Sequence, residues 1–319
     1  MTAVLPADES VYGPVPSRRL GRSLGLDVVP FKTCTYDCVY CQLGHTTDKT
    51  LRRQRWLEPA DVLARVRERL ESAPDAIALA GSGEPTLYDG IGEVIAGIKG
   101  LTATPVVVLT NGSLLGVPAV QRDLAAADIV IPSLDAPGES LFRLVNRPHA
   151  SLGFAEVLDG MAAFRERYQG QIWLEVMLLG GVTGIESEVT RLARVAERIA
   201  ADRIQLNTVA RPPAERFAEA VSPDRLAEFA AAFTPRAEII ASNVSAGRGA
   251  SGGDAEVLAL LGRRPCTVAD IAAGLGIHRN EALKVVSALV VSGAAEQSTH
   301  DGRSFYRAVV DHHPSEERQ

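Results

Sequence analysis

Cysteine is scarce in this chain of 319 residues: there are four, and three of them, Cys34, Cys38 and Cys41, fall within eight positions while Cys266 stands alone. A disulfide framework spreads paired cysteines through a small loop-rich chain, so this odd cluster points instead to a metal or a reactive thiol in a reducing compartment. Long apolar runs are missing too. No stretch reaches the roughly 18 apolar residues of a membrane span, and MTAVLPADESVYGPVP has acidic residues and prolines where a signal peptide needs a basic start and an apolar run. A cytoplasmic protein without membrane partners is expected. A basic excess is also lacking: 33 basic against 39 acidic residues give a net charge of −6, which disfavours whole-surface attraction to nucleic acid or anionic membrane. Arg18, Arg19 and Arg22 precede the cysteine cluster and Arg52, Arg53 and Arg55 follow it; a substrate-binding patch and a solvated face explain them equally well. Core material is plentiful, at 46% hydrophobic residues, so a sizeable interior can form.

Glycine and proline punctuate a regular alternation of apolar runs and helical patterns. Strands are predicted at 24–31, 76–81, 105–113, 128–136, 172–181 and 203–209, and helices at 59–73, 91–100, 117–126, 152–168, 185–200 and 223–233, with a short apolar strand near 237–241. Continuous Val/Ile/Leu runs of this kind indicate a parallel sheet covered on its outer face. Six βα units fall short of an eight-fold barrel, leaving a partial barrel or an open doubly wound sheet. The polar residues that could do chemistry lie just past the strand ends, the edge where parallel αβ folds build their sites: Cys34 to Cys41, Gly81 to Pro85, Thr110 to Gly112, Ser133, Asp135, Gly180, Gly181, and Asn207 to Arg211.

The composition then changes. SAGRGASGGD, 245–254, holds four glycines and no large apolar side chain, as a flexible linker does. Beyond it, three helical patterns and a hairpin turning at Asp301-Gly302 read as a winged helix-turn-helix, with Thr267 as a helix N-cap and Gly274 as a helix stop. The expected domains are 1–244, a linker at 245–253, a winged-helix domain at 254–310 and a tail at 311–319.

The spacing Cys34-x3-Cys38-x2-Cys41 puts three thiolates on one loop, enough for three irons of a cubane cluster with the fourth left open. His45 follows Cys41 at an x3 interval, so a tetrahedral Cys3His zinc site fits the same spacing. CTYDCVYC, with Tyr40 before the last cysteine, resembles the CxxxCxΦC signature of radical S-adenosylmethionine enzymes. Gly81-Ser82-Gly83-Glu84-Pro85, after the next strand, is similar to that family's Gly-Gly-Glu-Pro loop with serine at its second position. YGPVPSRRLGRSLGLDVVPFKTCTYDCVYCQLG and LNTVARPPAE look like a bacterial branch grouped with the wyosine-forming tRNA enzymes, over about residues 11–245. The resemblance implies a partial (β/α)6 barrel, a [4Fe-4S] cluster on Cys34, Cys38 and Cys41, and S-adenosyl-L-methionine chelated by the open iron. It places Gly81, Ser82, Gly83 and Glu84 by the cosubstrate ammonium and Tyr40 by adenine. Thr110, Asn111, Ser133, Asp135 and Asn207 become candidates for ribose hydroxyls and the cosubstrate carboxylate, with turn formation as the competing explanation.

An external one-electron donor, a ferredoxin or flavodoxin, is implied. The substrate is open among tRNA, peptide and metabolite; Asn146, Arg147, His149, Arg211 and Glu215 are candidate contacts at the mouth. Wyosine-forming enzymes with a second cluster need further cysteines, and Cys266 is the only one left. A different class of function is a DNA-binding regulator with the cluster as redox sensor, the third C-terminal helix presenting His278, Arg279, Asn280 and Lys284. The balanced charge of 254–310 favours docking of a protein, peptide or nucleic acid over strong duplex binding.

Overall fold

A computed structural model describes residues 10–240 and 253–309. The chain divides into two units, Met1–Ser245 and Ala246–Gln319.

The first unit opens with β1 (Val11–Ser17) and β2 (Gly21–Leu26), an antiparallel pair, followed by two short strands, β3 (Thr33–Cys34) and β4 (Asp48–Lys49), that pair with each other in parallel. Then come α1 (Pro59–Arg69), β5 (Ala76–Leu79), α2 (Ile91–Leu101), β6 (Val106–Thr110), α3 (Pro118–Leu124) and β7 (Ile129–Pro132). The unit continues with α4 (Glu139–Val145), α5 (Phe154–Arg167), β8 (Gln171–Leu178), α6 (Glu186–Ala196), β9 (Arg203–Thr208), α7 (Pro223–Ala230) and β10 (Glu238–Ile239). The eight-stranded sheet runs β1-β2-β5-β6-β7-β8-β9-β10, and every neighbouring pair except β1·β2 is parallel. Strands β2 and β5 to β9 with their helices form the partial (β/α)6 barrel.

Alternation along each strand gives the sheet two apolar faces. Leu26, Leu79, Val108, Val130, Leu174 and Leu206 join the large core shared with the helices. Ala76, Ala78, Val107, Ile131 and Trp173 make a smaller cluster of their own on the alternate positions. With both faces covered, the strands read as the continuous apolar runs seen in the sequence.

Several features of this unit depart from expectation. The first parallel strand ends at Leu26 rather than near 31, because the chain turns through Asp27 to Lys32, which has φ 60°, to begin the cysteine loop. β1 was not predicted: its two prolines remove N–H donors, which an edge strand tolerates. Helix α4 also escapes a pattern reading, being seven residues long with no side-chain cap. The predicted linker at 245–253 lies outside the described residues but for its last position, the tail at 311–319 wholly so, and residue 241 at the end of the predicted last strand likewise.

The second unit holds α8 (Asp254–Arg263), α9 (Val268–Leu275), α10 (Arg279–Val291) and an antiparallel hairpin of β11 (Ala295–His300) and β12 (Arg303–Ala308) around buried Val257, Leu261, Ile271, Val286 and Phe305. Thr267 caps α9: its Oγ1 accepts the Asp270 N–H at 3.1 Å, and the Asp270 carboxylate accepts the Thr267 N–H at 2.9 Å. The helix stop is Gly276, at φ 65°, rather than Gly274, which lies inside the helix. The hairpin turns at Asp301 and Gly302, φ 47° and 67°, a sign pattern that suits a two-residue hairpin turn.

Candidate active site

The loop that leaves β2 folds back on itself before reaching α1. Asp37 ties it: its Oδ1 accepts the Thr46 N–H at 2.7 Å, and the Thr46 hydroxyl donates to the Tyr36 carbonyl at 2.7 Å. The stretch after α4 clamps it from outside. The Asp37 N–H lies 3.1 Å from the Asn146 carbonyl and 3.2 Å from that of Arg147, the Val39 N–H donates to Val145 at 2.9 Å, and the His149 N–H donates to Thr35 at 2.8 Å.

Cys34, Cys38 and Cys41 are all half-buried on this loop, and each sulfur faces one nitrogen donor, two of them from other segments. The Lys32 ammonium is 3.2 Å from Cys41 Sγ, Asn111 Nδ2 is 3.6 Å from Cys34 Sγ, and Asn146 Nδ2 is 3.6 Å from Cys38 Sγ. Burial pushes the Cys34 thiol up to about 12, with the nearby Glu84 carboxylate adding to it, and burial likewise raises Cys38 well above the usual thiol range. The tetrahedral zinc site is not built. His45 turns away to the carboxylates of Asp37, at 3.4 Å, and Glu215, at 3.8 Å. Among the described residues no three His, Cys, Asp or Glu side chains group around a single metal position. A cubane takes each thiolate on a different iron, so its ligands need not converge on one point as zinc ligands do.

The glycine loop after β5 packs directly on the cysteine loop. The Glu84 N–H donates to the Thr33 carbonyl at 3.0 Å, and the Lys32 N–H to that of Ser82 at 2.8 Å. Gly83 is needed for this approach, because a Cβ there would stand 1.9 Å from the Thr33 carbonyl oxygen; one at Gly81 would stand 2.2 Å from Asp27 Oδ1. The room these glycines leave is therefore filled by the protein itself. Ser82 gives both its N–H and its hydroxyl to Asp27 Oδ2, at 3.1 and 2.8 Å.

Glu84 is 2% exposed, and both its oxygens are in use. Oε1 accepts the Thr86 N–H at 3.1 Å, the Thr86 hydroxyl at 2.6 Å and the Thr110 hydroxyl at 2.7 Å, while Oε2 accepts the Asn111 N–H at 2.7 Å. The carboxylate thus joins the end of β5 to the end of β6 and caps the short 3-10 turn at Pro85–Leu87. Burial raises its pKa against these four bonds.

Asp135, past β7, accepts Tyr40 Oη at 2.5 Å, Asn146 Nδ2 at 2.7 Å and the Met177 N–H at 3.1 Å; burial still lifts it to about 6. Tyr40, Asp135 and Asn146 form one chain of bonds ending at Cys38. Asn207 belongs to a second network on β8 and β9: its amide donates to Glu175 Oε1 at 2.8 Å, and the other Glu175 oxygen pairs with Arg19. Arg19 lowers the Glu175 carboxyl despite burial, which opposes it. Ser133 is half-buried at the end of β7, and its hydroxyl makes no hydrogen bond among the described residues.

The arginines near the cysteines are mostly committed. Arg19 pairs with Glu175, Arg53 with Asp123 at 2.6 Å, Arg55 with Asp89 and Glu93, and Arg147 with Glu215 at 2.7 Å. The backbone groups of Asn146, Arg147 and His149, the candidate contacts at the mouth, hold the cysteine loop. Sequence reasoning passed over Lys32 and Asp37; only their closeness to the cysteines could have flagged them. Cys266 is fully buried in the second unit, its backbone exchanging bonds of 2.9 and 2.8 Å with Tyr306.

The model of the Radical SAM superfamily matches residues 28–232. GTPase Obg of Brachyspira hyodysenteriae is 34% identical over 307 residues, covering 94% of this chain but only 45% of that protein, so the chain spans less than half of its length. A UPF0026 protein of Methanocaldococcus jannaschii is 31% identical over 308 residues, covering 92% of this chain and 94% of that one. Among solved structures, a radical SAM methyltransferase from Sphaerobacter thermophilus superimposes with a TM-score of 0.55 at 18% identity, over 68% of this chain and 65% of that one, a likeness of fold.

Proposed function

The chain belongs to the Radical SAM superfamily and to the UPF0026 proteins, and on that premise we propose that Cys34, Cys38 and Cys41 hold the [4Fe-4S] cluster at which this enzyme cleaves S-adenosyl-L-methionine. The observation that carries the assignment is the donor set: three half-buried thiols on one loop, each facing a nitrogen donor. Three sulfurs leave one iron without a protein ligand, which suits a reactive centre and not a saturated electron-transfer one. When bound, cluster and cosubstrate supply one-electron cleavage of the S–C5′ bond to methionine and a 5′-deoxyadenosyl radical, which takes a hydrogen atom from substrate. The electron comes from an external ferredoxin or flavodoxin.

The chain's own residues build the cradle. Glu84 and Gly83 hold the glycine loop against Thr33, beside Cys34, and Ser82 is tied to Asp27 and Lys32, which fixes the loop next to the thiols. Thr110 and Asn111 are fixed through Glu84, and Tyr40 and Asp135 through their shared hydrogen bond. Ser133, with its hydroxyl uncommitted, is the residue we assign to a ribose hydroxyl; Asn207, tied to Glu175, faces the interior further along the sheet. We read the core as 1–244, the linker as 245–253, and 254–310 as a winged-helix module that docks a protein, peptide or nucleic acid. The substrate is a tRNA, peptide or metabolite. With Cys266 buried in the second unit, the chain keeps no cysteine for a second cluster, which sets it apart from two-cluster wyosine-forming enzymes.

The test is anaerobic reconstitution with iron and sulfide, followed by dithionite and S-adenosylmethionine. Wild type and Cys266→Ala should take up about four irons, absorb in the visible and form 5′-deoxyadenosine, whereas Cys38→Ala should do none of the three. A colourless wild-type protein that binds one zinc and forms no deoxyadenosine refutes the assignment.

A further inference from the structure

Lys32 is 3% exposed, yet no carboxylate lies within ion-pair reach of its nitrogen among the described residues; its one side-chain partner is Cys41 Sγ at 3.2 Å. An ammonium buried without an anion is costly, and a neutral thiol is a poor acceptor for it. The two asparagines repeat the pattern with a neutral donor. Each amide NH2 group has two hydrogens and divides them between an oxygen and a sulfur. Asn111 Nδ2 serves Thr35 Oγ1 at 2.7 Å and Cys34 Sγ, and Asn146 Nδ2 serves Asp135 Oδ2 at 2.7 Å and Cys38 Sγ. The oxygen partner fixes each amide plane, so the second hydrogen is held toward its sulfur. The three donors come from three places, the end of the β2 turn, the end of β6 and the end of α4, and each serves a different cysteine.

We infer that Lys32, Asn111 and Asn146 are positioning residues that set the reduction potential of the cluster, with Lys32 the largest contributor because it brings a full charge. This rests on the assignment of the cluster to Cys34, Cys38 and Cys41. Reduction adds one electron to the cluster and so increases negative charge on its sulfurs; N–H groups and a cation facing those sulfurs favour the reduced form, and their removal lowers the potential. Lys32 is aimed at Cys41, so its effect does not depend on cosubstrate being present.

The experiment compares reconstituted wild type, Lys32→Met and Lys32→Arg without S-adenosylmethionine, measuring iron content, visible spectrum and the midpoint potential from the electron paramagnetic resonance signal of the reduced cluster. Lys32→Met is expected to load iron and to shift the reduction equilibrium at least tenfold toward the oxidised form, 59 mV more negative for one electron. Lys32→Arg, which keeps the charge, should recover most of that shift. Asn111→Ala leaves every charge in place, and a smaller shift in the same direction is expected. It decides the matter should Lys32→Met fail to fold: a potential equal to wild type in loaded Asn111→Ala then overturns the inference. A loaded Lys32→Met protein with unchanged potential also overturns it, even if its affinity for S-adenosylmethionine falls, since Lys32 would then serve the cosubstrate. Failure of the wild type to load iron refutes the cluster assignment instead, so the two failures are distinct.

Discussion

Replacing Glu84 with alanine removes one acceptor group that four donors share in a site 2% exposed. The Thr86 and Asn111 amide N–H groups cannot turn elsewhere, and a buried unsatisfied donor costs about 1–3 kcal/mol. The two threonine hydroxyls rotate and add less. A loss of about 3–4 kcal/mol follows, near the upper end for single substitutions. With a urea dependence of about 2–3 kcal/mol per M, the unfolding midpoint falls by about 1–2 M. The chain's two tryptophans, Trp56 and Trp173, are both buried in the first unit, so their fluorescence follows that unit's unfolding. Glu84→Gln keeps the shape but turns an NH2 group toward either the Asn111 N–H or the three donors on Oε1, and should not rescue. A Glu84→Ala midpoint within about 0.3 M of wild type, or a Glu84→Gln protein as stable as wild type, would show that this carboxylate does not join the two strand ends.

Gly83→Ala drives a Cβ to 1.9 Å from the Thr33 carbonyl oxygen, which is backbone and cannot swing aside; stability should drop by about 2–3 kcal/mol, and iron analysis should show reduced uptake because Cys34 is displaced with Thr33. Tyr36 has a buried hydroxyl with no hydrogen-bond partner among the described residues and a ring set edge-on to Phe142, centroids 5.4 Å apart. Tyr36→Phe keeps the ring, so urea unfolding should show stability unchanged or raised by up to about 1 kcal/mol; a comparable loss would mean that a water serves the hydroxyl. Glu139 accepts the Phe154 N–H at the start of α5 and pairs with Arg143, and these contacts hold its pKa below the usual 4.5. Because the folded-state pKa is depressed, its contribution is present above the unfolded value and lost as pH falls through the folded one. Glu139→Gln should therefore cost about 0.5 kcal/mol at pH 7, exposure limiting the effect, and nothing once both forms of the wild type are protonated, which unfolding at several pH values will read.

Local pattern carried much of this protein in its sequence. Three cysteines at fixed spacing on one loop, a glycine loop after the next strand, and apolar runs alternating with helical periods need only neighbouring residues to be recognised, and they led to the parallel sheet, its chemical edge and the thiols. Where local signals were weak, the reading failed for identifiable reasons: β1 carries prolines that only an edge tolerates, and α4 is short and uncapped. Tertiary structure decided the rest, because it depends on which strand ends meet. Glu84 reads in sequence as a ligand beside a cosubstrate; in the fold its oxygens are spent on Thr86, Thr110 and Asn111. His45 keeps zinc spacing yet faces Asp37 and Glu215. Lys32, Asn111 and Asn146 lie up to 114 positions apart in the chain, and only the convergence of a turn, a strand end and a helix end sets one donor on each sulfur, an arrangement made by packing distant segments and therefore written in no single stretch of sequence.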